Sequence, residues 1–197
     1  MSVSELGMAN RALIRLGATT TTNLAGTDRN AVICNALMGD VIDEVLCEYP
    51  WKCVENRATL SKVYPPPIFG YAYQYELPDD PYCLVPHKLF IGSDEATSPW
   101  VLEERYILTD QDDEEEDVSL LYTQRIDDIT ILSTWVEGLI VLRLAYEACF
   151  AITQSNTLKT EIWNDYQDSI VRAKMRDGRI NYVDGEDGNM DWVDAGR

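Results

Sequence analysis

The stretch from Leu139 to Ile152 constrains the fold more than any other part of the chain. Trp135, Leu139, Leu142, Tyr146 and Cys149 recur at three- and four-residue steps and form one helical stripe. Val136, Ile140, Leu144 and Phe150 put further apolar side chains on the other sides of the same helix. A helix that is apolar all round must be nearly surrounded by protein, which makes it the centre of a bundle. Arg143 and Glu147 interrupt the run, and it is too short to span a bilayer, so a soluble protein without a membrane partner is expected.

Three other segments have the period needed to surround it. Ser2 and Glu5 have capping-box spacing, Leu6, Ala9, Leu13 and Leu16 follow as an apolar face, and Gly17 offers a stop. The polar stretch from Ala18 to Asn23 reads as a loop. A second helix is expected from Thr27 or Asp28, with Ile33, Leu37, Val41 and Val45 on one face, ended by Pro50. A last helix carries Leu158, Ile162, Tyr166, Ile170 and Ala173, with Asp168 and Arg172 as a favourable i,i+4 pair.

Between Trp51 and Ile126 the period changes. Tyr71, Tyr73, Tyr75 and Leu77 alternate with Ala72, Gln74 and Glu76, as in a half-buried strand. Trp100, Leu102, Tyr106 and Leu108 predict one face of a second strand, and Val118, Leu120, Tyr122 and Ile126 one face of a third. Weaker strand signals run over Ala58–Val63, Tyr82–Val85 and Lys88–Ile91, with Pro65–Pro67, Pro78, Pro81 and Pro86 as punctuation. The expected fold class is α+β: a bundle of about four helices with an inserted small antiparallel β-domain and an extended C-terminal arm. Residues 1–50 would form the first helical pair, 51–126 the β-domain, 127–177 the second helical pair and 178–197 the arm.

The arm reading rests on Ile180, Tyr182, Val183, Met190, Trp192 and Val193, which sit without period among Gly and Asp. They are too few to pack alone, yet a solvated tail seldom carries a Tyr, a Met and a Trp, so a segment that orders on a partner is expected.

Charge narrows the partners. Asp and Glu number 34 against 16 Lys and Arg, a net charge of −18. Such a surface repels a phosphate backbone, so specific nucleic-acid binding is not expected, whereas DNA could slide past without sticking. The run Asp110, Asp112, Asp113, Glu114, Glu115, Glu116, Asp117 lies between two expected strands and reads as a solvated hairpin tip. In a ring of subunits it would form an acidic collar. The five cysteines, Cys34, Cys47, Cys53, Cys83 and Cys149, include no CxxC pair and read as reduced thiols of a protein made in a cytoplasm. The start MSVSELG shows no secretion signal.

No catalytic constellation is visible. His87 is the one histidine, no G-x-S-x-G elbow accompanies it, and neither a zinc spacing nor a phosphate-binding loop occurs. A carboxylate pair of glycosidase type is compatible with so many acids but singles none out. Asp187–Asp191 departs from a calcium loop where Trp192 replaces the required glycine. The expectation is a non-enzyme with no catalytic residues, no metal and no cofactor.

The order of these segments resembles the head-to-tail adaptor proteins of tailed bacteriophages, in particular the tail tubular protein A family of short-tailed phages. The matching positions are the helix end Leu13–Gly17, the aromatic junction Tyr49–Trp51, the strand Asn56–Leu60, the segment Tyr75–Asp79, the helix Leu139–Ile152 with Thr153 and Ser155, the segment Ala173–Asp177, and the Gly/Asp/aromatic tail. The resemblance implies a virion protein of the neck or tail, made in the host cytoplasm. It implies a homo-oligomeric ring, usually of twelve copies, docked on the portal by its C-terminal arm. A nozzle or next tail protein would sit below, and genomic DNA would pass through the central channel. A head-completion ring of a long-tailed phage, an acidic DNA mimic that inhibits a host protein, and a cell-wall hydrolase are the competing readings.

Overall fold

The computed structural model describes residues 4–112 and 116–180. The chain folds as an α+β protein with four helices and two small antiparallel sheets.

Helix α1 (Glu5–Arg15) is capped by Ser4, whose Oγ accepts from the Gly7 N–H at 3.0 Å. Ser2, the expected cap, lies outside the described residues. Gly17 adopts a positive φ of 66° just past the helix, the left-handed stop its position implied. Helix α2 (Arg29–Cys47) starts at Asp28, whose carboxylate accepts from Ala31 N–H at 2.9 Å and Thr21 hydroxyl at 2.8 Å. These hydrogen bonds, the backbone one foremost, hold the Asp28 carboxyl below its ordinary range. The Ala18–Asn23 loop is therefore polar but fixed: Thr21 is buried, and its backbone exchanges two 2.8 Å hydrogen bonds with the Asn10 amide.

Helix α3 (Thr134–Thr153) packs against α1, α2 and α4 (Asn156–Ile180), so the helix that is apolar all round is the bundle centre. Val136, Leu139, Ile140, Val141, Leu142, Leu144 and Ala148 are all buried in it, each large aliphatic one contributing about 1.5–3 kcal/mol. Phe150 is the exception and stays half exposed. Arg143 is accommodated by pairing with Glu44 at 2.8 Å and Glu147 at 3.1 Å while its guanidinium lies over the Trp163 ring. On α2 the fully buried line is Ala31, Cys34, Met38, Val41, Ile42, Val45 and Leu46, with Ile33 and Leu37 at its margin. Arg172 donates to Ser169 Oγ at 3.2 Å rather than forming the expected pair with Asp168.

The insert contains strands β1 (Glu55–Thr59), β2 (Ser61–Lys62), β3 (Tyr73–Glu76), β4 (Cys83–Ile91), β5 (Asp94–Glu95), β6 (Trp100–Glu103), β7 (Tyr106–Thr109) and β8 (Val118–Gln124). They form two sheets, ordered β1-β8-β4-β5 and β2-β3-β7-β6, where the sequence suggested one. Leu60 is the corner between β1 and β2; it is buried, and its N–H donates to Val118 O at 2.8 Å. The sheets face each other over Leu60, Tyr75, Leu77, Leu89, Ile107, Val118, Leu120 and Tyr122, a core separate from that of the bundle.

Two strand expectations are corrected. Trp100–Leu108 is a hairpin, not one strand: β6 and β7 pair Trp100 with Thr109 and Leu102 with Ile107. The turn uses Glu104 at a φ of 52°, where glycine would be the usual signal. Conversely, Tyr82–Val85 and Lys88–Ile91 merge into β4, which runs through Pro86. The missing N–H is tolerated because the pairing with β8 shifts register between Pro86 and Lys88.

Bundle and β-domain meet at the aromatic junction. Trp51 is fully buried and its indole N–H donates to Val45 O at 2.8 Å. Asp177, 1% exposed, accepts from the Lys52 N–H at 3.1 Å and the Trp135 indole at 3.3 Å, tying α4 to the chain entering the β-domain. Arg125, just after β8, closes the seam by pairing with Asp43 on α2. Helix α4 continues through Gly178 to Ile180, so the arm expected from residue 178 cannot begin before 181.

Candidate interaction surfaces

The most exposed apolar side chains cluster on the loop between β2 and β3. Ile68 is 98% exposed, Phe69 85% and Tyr64 75%. Pro65, Pro66 and Pro67 stiffen the loop between Tyr64 and Ile68, and the Gln74 side chain donates to Pro65 O at 2.6 Å. A rigid loop that holds Ile and Phe in water loses little entropy when it docks. In the sequence the prolines read as punctuation, and Ile68 and Phe69 inside a turn are the signal of an exposed apolar loop.

The outward face of the β1-β8-β4-β5 sheet is concave and carries both basic and acidic side chains. Two adjoining depressions of about 390 and 470 Å³ share Arg57 and Phe90, with the guanidinium 5.8 Å from the ring centre. Lys52 and Lys88 border them but are paired with Glu55 and Glu95, and Arg57 has no ion pair among the described residues. His87 lies at the same face, its Nε2 2.8 Å from Thr123 Oγ1, and burial lowers its pKa from the ordinary imidazole value. Among the described residues no group of three His, Cys, Asp or Glu side chains converges as a metal site.

The acidic run joins β7 to β8, which belong to different sheets, so it is a crossover and not a hairpin tip. Asp113, Glu114 and Glu115 lie outside the described residues. Its first part is engaged structurally: Asp110 Oδ1 accepts from the Ala72 N–H at 3.0 Å, and Asp112 pairs with Lys62. Glu116 and Asp117 are exposed beside Gly92, whose N–H donates to Asp117 O at 2.9 Å.

Of the arm residues, Ile180 is half exposed at the end of α4, while Tyr182, Val183, Met190, Trp192 and Val193 lie outside the described residues. Val171 and Met175, one helical turn apart, are more than half exposed on α4 as well. No helix of the described residues is long and apolar enough to cross a membrane. No protein-family model and no curated protein matches the chain.

Proposed function

We propose that the chain is a structural subunit of a tailed-phage neck: one copy of a ring, of about twelve, between the portal and the tail or nozzle. The observation that carries this reading is the exposure of apolar side chains at two unlike places on a fold whose two cores are otherwise closed. The β2–β3 loop presents Ile68 and Phe69, and the outer side of α4 presents Val171 and Met175. Two different sticky patches on one subunit suit head-to-tail association, the type of contact that closes into rings. The order of elements agrees with the family resemblance, and the net charge of −18 suits a lumen that DNA traverses without binding. In this reading the C-terminal segment engages the portal and the β-domain faces the next tail component.

The test is binding to portal-containing heads, followed by imaging of the bound material. The full chain should co-sediment with heads and give ring density beneath the portal. A chain ending at Ile180, which keeps all four helices, should bind at least about tenfold more weakly. Equal binding by the two chains removes the arm's role, and failure of the full chain to bind any head overturns the adaptor reading.

A further inference from the structure

A groove on the opposite module from the concave sheet face has a property the acidic composition makes unusual. It lies where α1, α3 and α4 meet, has a volume of about 190 Å³, and is lined by Arg15, Arg172 and Arg176 around Gly138 and Leu142. Trp135 stands at one end. Acids outnumber bases 34 to 16 in this chain, yet these three exposed guanidinium groups have few carboxylate partners among the described residues. Arg15 has its nearest carboxylate, Asp165, at 3.9 Å with both side chains largely in solvent. Among the described residues Arg172 donates only to Ser169, and Arg176 has no ion pair. Glu137, the neighbour of Gly138 in sequence, is paired with Arg11. Gly138 contributes no side chain to fill the groove, and a Cβ placed there would meet nothing within 4 Å.

We propose that this groove is the docking site for the chain's own C-terminal segment, residues 181–197, in the unassembled subunit. The segment carries Asp184, Glu186, Asp187, Asp191 and Asp194 against the single Arg197, so its sign is opposite to that of the groove. Tyr182, Met190 and Trp192 supply apolar side chains for the space above Gly138 and beside Trp135. Connectivity favours the segment of the same chain over that of a neighbour. Arg176 and Arg172 precede Ile180 by about 6 and 12 Å of helix rise, and 17 extended residues reach up to about 55–60 Å. A tether this short holds its tail at an effective concentration of about millimolar, far above the concentration of any free chain. Three arginines can bind carboxylates through charge-assisted, forked hydrogen bonds. This docking stands or falls independently of the adaptor reading. Where both hold, the portal binds a tail that must first leave its groove.

Amide hydrogen exchange on the full chain tests it. At low salt, amides of 181–197 should exchange about tenfold or more slowly than in the variant R172E/R176E, and molar salt should abolish the difference. The reciprocal variant D184K/E186K/D187K, which leaves every residue of the groove unchanged, should lose the same protection. Combining both sets should restore part of it. Tail amides exchanging at the rate of an unstructured chain in the wild type overturn the proposal, as does protection that neither reversal changes. Protection that grows with protein concentration, together with a rising sedimentation coefficient, assigns the groove to a second copy's tail and overturns docking within one chain.

Discussion

At the scale of single residues, Asp177 does most to join the two modules. It is a buried carboxylate with two N–H donors, one from the backbone of Lys52 and one from the Trp135 indole. Asp177→Ala leaves both donors without their acceptor and should cost about 2–4 kcal/mol, read as a lower urea midpoint with unchanged slope. The buried thiols make a second prediction. Burial pushes Cys34 and Cys83 up from 9.0 to about 11, with Asp28 adding to the effect at Cys34. Raised thiol pKa values mean that the folded chain holds protons the unfolded chain has lost between pH 9 and 11. Their contribution is complete below pH 9 and lost as pH rises through about 11. The urea midpoint should fall between pH 9.0 and about 11, and C34A/C83A should flatten that fall. Cys47, which is exposed, should be the first thiol to react with a thiol reagent, while Cys34, Cys83 and Cys149 wait for unfolding.

Elements show where sequence reasoning succeeds and where it stops. The all-round apolar α3, the start of α2 near Thr27 or Asp28 and the Gly17 stop were legible because each rests on a rule local in sequence. The β6–β7 hairpin was hidden because Glu104, not glycine, takes the left-handed position, leaving no turn signal between two apolar runs. Glu104→Gly should therefore stabilise the domain by about 1 kcal/mol, measured as a rise in thermal midpoint. The continuity of β4 was hidden by Pro86, whose cost is absorbed by a register shift that depends on β8, some thirty residues away. The groove between the helices escaped for a related reason. The basic groove is assembled from α1, α3 and α4, and no window of sequence places Arg15 beside Arg172.

The whole molecule is two closed cores with apolar side chains left outside them. Ile68 and Phe69 touch neither core, so I68S/F69S should leave the urea and thermal midpoints unchanged within about 0.5 kcal/mol. The same variant should lose assembly, read by mass photometry or by ring counts in micrographs after mixing with heads. A large drop in stability would mean that the loop packs into the subunit instead of out of it. The separation of the cores has another consequence, set by the order of synthesis. Helices α1 and α2 leave the ribosome first, but α3, which covers their apolar faces, starts at Thr134, beyond the whole insert. At about 5–20 residues per second, several seconds pass before that cover exists. The β-domain has its own core and is complete at Gln124, so it closes while the N-terminal helices are still waiting. Folding of this chain on the ribosome is therefore expected to run from the middle outward, with the bundle as its final event.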